Sequence, residues 1–274
     1  MPNVRVGEEN GNPVELSYED HGRGRPVVLV PGWPVGAEAW ERQVPALLDE
    51  GHRVVTYDRR GFGRSSRPIS GYDFDTLAAD LDRLITELDL HDAALAGLAM
   101  GTGECVRYLS TYGSARVRKA AFLASLPLLT TPELPGRVTP GPLDGITAAL
   151  ARDRHAFASA FLTEVYNLDL LEGERVSDHV VRAGWTVAAG ASQHALAACV
   201  DAWRTDFRAD LPRVSVPSLV LHGDDDRVHP VVSTALPLHQ ALGASRLVVL
   251  EGAPHGLTWT HAAEVNAELV DFLA

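Results

Sequence analysis

The chain has 274 residues, 46% hydrophobic and 22% charged, the balance of a soluble globular protein able to bury a sizeable core rather than of a disordered one. Its formal net charge of -12 argues against a nucleic-acid backbone as partner, because such binding rests on clustered Lys and Arg. Cys105 and Cys199 are too few for a disulfide framework or a four-ligand zinc site, and they are expected to be reduced thiols of a cytoplasmic protein.

Residues 1–6 have neither the basic start nor the apolar run of a secretion signal, and no run of about 20 apolar residues occurs elsewhere, so no membrane span is expected. Residues 4–6 and 14–18 flank the turn-forming Glu9-Asn10-Gly11-Asn12-Pro13 and predict an antiparallel hairpin at a sheet edge. Pro26–Val30 and Arg53–Tyr57 are continuous apolar runs, which mark strands covered on both faces. Asp73 is the expected N-cap of a helix whose Leu77, Leu81, Leu84, Ile85 and Leu88 form one stripe.

Ala93–Leu98 is the next expected strand, running through Ala99-Met100-Gly101-Thr102-Gly103 into a helical pattern at 104–112. Val117–Leu123, 218–222 and 246–250 supply three more strands. Strands alternating with helices predict an α/β fold with a mainly parallel, doubly wound sheet. Between Pro127 and Pro212 the alternation stops. A Pro- and Gly-rich loop (Pro132, Pro135, Gly136, Pro140, Gly141, Pro142) leads there into helical patterns at 146–171 and 177–198. The expected organisation is a core of 1–126 and 213–274 with a helical cap of 127–212, since function concentrates beyond the C-terminal ends of the strands. A helical layer buried only for stability is the other reading.

Strand, sharp turn and helix around residue 99 form the layout of a nucleophile elbow, in which Gly-x-Ser-x-Gly holds its serine on a strained turn. Ala99 stands in the serine's place, and a methyl group cannot attack a carbonyl. The other members of a nucleophile–acid–histidine order are present. Residues 218–222 run into Gly223-Asp224-Asp225-Asp226-Arg227-Val228-His229-Pro230, where Asp226 is the expected acid and Asp224 and Asp225 are the alternatives. Three adjacent acids repel one another, so the outer two are expected to face water. Residues 246–250 run into Glu251-Gly252-Ala253-Pro254-His255-Gly256, where Pro254 and Gly256 bracket His255, the expected histidine.

In such a triad the histidine takes the nucleophile's proton and the acid fixes its tautomer. Trp33, in Pro31-Gly32-Trp33-Pro34, and Met100, at the start of the elbow helix, are the expected backbone donors to an oxyanion. Trp33, Phe157, Phe161 and Trp185, with Tyr166 and Trp203, point to a largely apolar small-molecule pocket, although core packing is the commoner fate of such residues. Gly101-x-Gly103-x-x-Val106 lacks the third small residue of a dinucleotide turn. No Gly-Lys-Ser or Gly-Lys-Thr phosphate loop and no His-Glu-x-x-His pair occurs, so neither cofactor nor metal is expected.

Asp58-Arg59-Arg60-Gly61-Phe62-Gly63-Arg64-Ser65, Gly101-Thr102-Gly103-Glu104, Thr205-Asp206-Phe207-Arg208-Ala209-Asp210-Leu211-Pro212 and Gly252-Ala253-Pro254-His255-Gly256 together resemble the cofactor-free (non-haem) haloperoxidases. These are α/β-hydrolases that behave as esterases and perhydrolases, and the resemblance covers nearly the whole chain. It implies the α/β-hydrolase fold and places Ala99 on the nucleophilic serine, Asp226 on the acid, His255 on the histidine and Trp33 and Met100 on the oxyanion donors. It further implies an acyl-enzyme made from an ester or carboxylic acid, acyl transfer to water or hydrogen peroxide, halide oxidation by the peracid without metal or haem, and a homo-oligomer. Pro34 matches the family's loop, whereas Pro31 stands where a histidine is usual.

Three readings of Ala99 are open. In the favoured one the parent enzyme carries serine there, hydrolyses an ester or lactone with perhydrolysis beside it, and this chain is its nucleophile knockout. In the second, alanine is natural and His255 with Asp226 forms a base dyad beside an oxyanion hole in a non-hydrolytic enzyme. In the third, the chain is a non-catalytic binder of a small molecule.

Overall fold

Among the described residues the apolar runs become eight strands of one sheet: β1 (Asn3–Glu9), β2 (Asn12–Gly22), β3 (Pro26–Val30), β4 (Arg53–Tyr57), β5 (Ala93–Leu98), β6 (Val117–Leu123), β7 (Ser218–Gly223) and β8 (Ser245–Leu250). The computed structural model describes residues 1–128 and 140–274 and orders the strands β1-β2-β4-β3-β5-β6-β7-β8. β1 and β2 form the expected hairpin, and β2 pairs antiparallel with β4. Every pair from β4 to β8 is parallel. This is an α/β-hydrolase sheet with an antiparallel N-terminal edge.

Helices α1 (Gln43–Asp49), α2 (Phe74–Glu87) and α3 (Met100–Tyr112) follow β3, β4 and β5. Among the described residues, the helical spans between β6 and β7 are α4 (Pro140–Val165), α5 (Leu168–Leu171), α6 (Asp178–Gly190) and α7 (Gln193–Ala202). The chain then adds α8 (Ala235–Ala241), α9 (Leu257–Thr260) and α10 (Ala262–Leu273). Among the described residues, no helix is long and apolar enough to cross a membrane.

Alternation along the central strands splits the core into two layers. Val28 and Val30 face Leu81 of α2, Tyr108 of α3 and Leu238 of α8, while Val27 and Leu29 face Leu47 of α1 and Leu269 of α10. Because both faces are covered, β3, β5 and β7 are buried throughout, and each fully buried Val or Leu contributes about 1.5–3 kcal/mol. Asp73 caps α2 as expected, its carboxylate accepting Thr76 N–H at 2.9 Å.

The inserted helices differ from the two long patterns expected. Asp153 leaves helical geometry at φ -160°, and its carboxylate accepts the N–H groups of His155 and Ala156, so the span of α4 is two helices joined at a local cap. Asn167, in the left-handed region at φ 45°, stops the pattern again before α5. Pro140, Gly141 and Pro142 belong to the first turn of α4 rather than to a loop, a position that tolerates proline because its missing N–H has no helical partner. The rest of that expected loop, with Pro132, Pro135 and Gly136, lies outside the described residues. The insertion also does two jobs. Leu196, Cys199 and Val200 of α7 join the core layer of α2 and α3, whereas the end of α4 turns toward Ala99.

β5 passes into α3 through Ala99, at φ 50° and ψ -113°, so the helix starts at Met100 rather than at 104. Two glycines make this crossing possible. A Cβ on Gly97 would lie 2.6 Å from Gly101 O, and one on Gly101 would lie 2.5 Å from Val30 O. Backbone stands in both places, and it cannot move aside as a flexible side chain can. Gly97→Ala is therefore expected to lower stability by about 1–3 kcal/mol in urea unfolding, as overpacking does. Gly145→Ala, where a Cβ on exposed α4 meets nothing, is expected to be neutral or to stabilise by about 0.4–1 kcal/mol. Equal midpoints for the two variants would contradict the close crossing.

Candidate active site

The loops after β7 and β8 bring Asp226 and His255 together. His255 Nδ1 lies 2.8 Å from Asp226 Oδ2, and the two residues are 5% and 3% exposed. Asp226 Oδ1 accepts the N–H groups of Val228 at 2.9 Å and His229 at 2.7 Å, and His222 Nε2 approaches Oδ2 at 3.1 Å. Burial alone would push the Asp226 carboxyl up. The charge of His255 and the hydrogen bonds from His222 and His255 outweigh it and hold the carboxyl well below the usual carboxylate range. An ionised carboxylate only accepts, so Nδ1 of His255 carries the proton and Nε2 is the basic nitrogen.

The alternatives, Asp224 and Asp225, have other partners. Asp224 Oδ1 accepts Gly252 N–H at 2.7 Å, and Asp225 Oδ2 accepts Asn167 Nδ2 at 2.8 Å. Asp224 is exposed and the Asp225 side chain is 42% accessible, so both keep contact with water while being paired. Each carboxylate ties the loop after β7 to a neighbouring segment.

Around Ala99 the support comes from a buried ion pair. Arg59 and Glu104, each 1% exposed by side chain, hydrogen-bond through Nε and Oε1, and Glu104 Oε2 also accepts Tyr57 OH at 2.8 Å. The same guanidinium donates to Gly32 O at 2.8 Å and to Pro31 O at 2.5 Å. A trans peptide points its N–H opposite to its C=O, so anchoring Gly32 O to Arg59 turns the Trp33 N–H away from the ion pair. Gly32 runs beside Ala99, since a Cβ built on it would stand 3.5 Å from Ala99 Cβ. Met100 N–H opens α3 immediately after Ala99, and neither it nor Trp33 N–H finds an acceptor among the described residues. At Pro31, where a histidine is usual in the family it resembles, the carbonyl supplies the contact to Arg59.

Trp33, Ala99 and His255 line one cavity of about 30 Å³, closed from the insertion by Leu162 and Tyr166. Tyr166 also lines an adjoining cavity of about 220 Å³ that reaches Glu38, Glu41 and His179. A cavity of about 660 Å³ between β1 and α2 holds none of the expected site residues. Of the expected aromatic walls, Trp33 and Tyr166 line the cavity at Ala99, whereas Phe161, Phe157 and Trp203 are not part of its lining and pack on the Trp33 ring, at 5.2, 6.3 and 5.0 Å between ring centroids. Trp185 stands apart from this cluster, its indole N–H donating to His155 O at 3.0 Å. Among the described residues no group of three or more His, Cys, Asp or Glu could hold a metal ion.

Sequence reasoning missed four contributors: Arg59, Glu104, His222 and His229. The first two lie inside stretches that carry the family resemblance, so a signal was present without a role attached. The histidines have no telling spacing. His229 is recognisable only in three dimensions, where its ring stands edge-on to His255 at 5.0 Å. Burial, reinforced by His255, pushes His229 down from 6.5 to about 3.

His229 therefore stays neutral in the folded chain at pH 5, while the unfolded chain protonates it below its ordinary value of 6.5. The unfolded state binds the extra proton, so stability falls as pH falls from 6.5 toward 3. Asp226, with its carboxyl held low, gives up its contribution only below the ordinary carboxylate range of about 4. Between pH 7 and pH 5 the loss due to His229 is expected to be about 2 kcal/mol. Urea unfolding at both pH values should show that loss removed in His229→Leu; the same drop in both proteins would contradict a neutral buried imidazole.

Comparison with known proteins bears on the family and the fold. The family described as alpha/beta hydrolase fold matches residues 25–262. A Synechocystis sp. protein assigned as a non-heme chloroperoxidase is 51% identical, with 100% of both chains covered. A bifunctional esterase/perhydrolase of Acinetobacter calcoaceticus is 31% identical over 95% of this chain and 96% of its own. The crystal structure of a bromoperoxidase from Bacillus anthracis is 39% identical and superposes with a TM-score of 0.94, covering 99% of each chain. The chain belongs to the α/β-hydrolase family, with non-haem chloroperoxidases among its relatives.

Proposed function

We propose that the chain carries the acyl-transfer site of a serine esterase and perhydrolase, with Ala99 in the nucleophile's position. The observation that carries this reading is the turn itself. Ala99 holds φ 50° and ψ -113° beside His255, a conformation that costs a non-glycine residue about 1–3 kcal/mol and serves no purpose for a methyl group. It would present a serine Oγ to the basic Nε2 of His255.

With serine at that position, His255 takes the hydroxyl proton as Oγ attacks an ester or lactone carbonyl, and Asp226 stabilises the imidazolium. The N–H groups of Trp33 and Met100 receive the developing oxyanion, where preorganised donors act most strongly. The acyl group then passes to water or to hydrogen peroxide, the second giving a peracid able to oxidise halide; names of relatives such as esterase/perhydrolase support both outcomes. Trp33, Leu98, Leu162 and Val165, which line the cavity, suit an uncharged, largely apolar acyl group. Cys105 and Cys199, both free and buried, suit a reducing, cytoplasmic compartment.

As it stands, with alanine, the chain is a strongly impaired hydrolase. Binding and oxyanion donors alone leave about 10³- to 10⁴-fold acceleration over water. Ala99→Ser is expected to raise kcat for 4-nitrophenyl acetate by about 10³-fold or more, and His255→Ala in that background to remove the gain. A flat response to Ala99→Ser overturns the proposal. A pH-dependent reaction abolished by His255→Ala and indifferent to Ala99→Ser would assign His255 and Asp226 to base chemistry instead. The ionised, buried Asp226 favours either of these over a simple binder, which needs no oriented imidazole.

A further inference from the structure

Three alternate residues at the junction of α4 and α5 are tied to the two loops that carry Asp226 and His255. Val165 O accepts Gly256 N–H at 2.7 Å, one residue from His255. Asn167 Nδ2 donates to Asp225 O and Asp225 Oδ2, each at 2.8 Å, one residue before Asp226. Asp169 accepts from Arg227 Nη1 at 2.8 Å, one residue after Asp226. Between the first two, Tyr166 lies so close to Gly256 that a Cβ there would meet Tyr166 Cδ1 at 2.5 Å.

These ties are unequal. The Asp169–Arg227 pair is exposed, with side chains 59% and 35% accessible, and such pairs contribute little. Asn167 is 0% exposed, and its amide reaches a carboxylate, a hydrogen bond of the stronger charge-assisted kind. Its residue type also fits a double demand. At φ 45° and ψ 51° the backbone is left-handed, which glycine and asparagine adopt at least cost, and of these two only asparagine supplies the donor.

The hydrogen bonds that Asp226 receives from Val228 and His229 fix its carboxylate relative to its own loop. They do not fix that loop relative to the rest of the molecule. Asp224 N–H to Leu250 O, at 3.1 Å, and Asp225 N–H to Ala253 O, at 3.2 Å, fasten it to the histidine side. Asn167 fastens it to the insertion.

We infer that Asn167 is a positioning residue for the Asp226–His255 pair, setting the loop after β7 against the inserted helices so that Oδ2 of Asp226 meets Nδ1 of His255. Seating of the insertion and alignment of the pair are then one event. The effect on turnover rests on the proposed acyl transfer; the effect on the hydrogen bond does not.

The test uses the chain with Ala99 in place. The low-field proton resonance of His255 Nδ1–H, assigned by its loss in His255→Ala, is recorded in Asn167→Gly, which keeps the left-handed backbone and removes the amide. Asp225→Ala removes the carboxylate acceptor from the other side, and Asp169→Ala controls for the exposed bridge. Asn167→Gly and Asp225→Ala are expected to shift or broaden the resonance at temperatures where circular dichroism shows both folded, the double variant to be no worse than either, and Asp169→Ala to leave it in place. In the Ala99→Ser background, Asn167→Gly is expected to lower kcat by about 10- to 10²-fold, with KM changed less than about twofold, as misplacement of a catalytic group does. An unchanged resonance in both Asn167→Gly and Asp225→Ala overturns the inference, whatever the rate does. Should Ala99→Ser bring no activity, the resonance still decides the role of Asn167 and the failure falls on the proposed acyl transfer alone.

Discussion

The site depends on one close backbone crossing. β5 meets α3 through Ala99 with Gly97 packed on Gly101 and Gly101 packed on the carbonyl end of β3, so the turn is set by contacts that no side chain could occupy. That crossing places three things within one small region: the residue at the tip of the turn, the first free N–H of α3 and the loop that leaves β3. Once the crossing is made, the position at 99 is over-determined, which is how a strained conformation persists in a folded protein.

The buried pair of Arg59 and Glu104 extends that constraint to the loop after β3. Burial disfavours a charge on Arg59, but Glu104 beside it more than compensates and the guanidinium stays charged. A well-packed apolar pair often matches such an ion pair in stability. An apolar pair could not, however, donate to the carbonyls of Pro31 and Gly32. Its contribution is direction: two carbonyls are held toward Arg59, and the Trp33 N–H is turned the other way. Tyr57, from the end of β4, completes the set by donating to Glu104, so β3, β4 and α3 share one polar core beneath Ala99.

The inserted helices divide their work. α7 packs into the layer of α2 and α3 as ordinary core, while the end of α4 closes the cavity at Ala99 through Leu162 and Val165, with Tyr166 just beyond it. Packing therefore differs along this segment, with α7 in the core layer and the end of α4 at the cavity. The same division explains the aromatic residues. Trp33, Phe157, Phe161 and Trp203 meet in one ring cluster, whereas Trp185 lies along α6 against His155. Helical spacing reports which residues share a stripe, but not which neighbour the stripe will face.

What could be read from the chain was whatever depends on short stretches. Strand runs, the cap at Asp73, the elbow around residue 99 and the acid-then-histidine order all follow from local periodicity, turn chemistry and the way parallel strands present their loops at one edge. Resemblance pointed to Asp226 rather than Asp224 or Asp225 as the partner of His255, and the hydrogen bonds show that Asp226 is the carboxylate that meets the imidazole. Tertiary structure alone decided the break at Asp153, the polar core of Arg59 and Glu104, the place of His229 beside His255, and the link from Asn167 to Asp225. Each of these joins residues far apart in the chain or depends on a local cap competing with helix, and their energies come from burial and partner geometry. Sequence by itself determined the fold and the order of the site; the packed structure determined which groups support it, because burial and direction are properties of neighbours rather than of residue types.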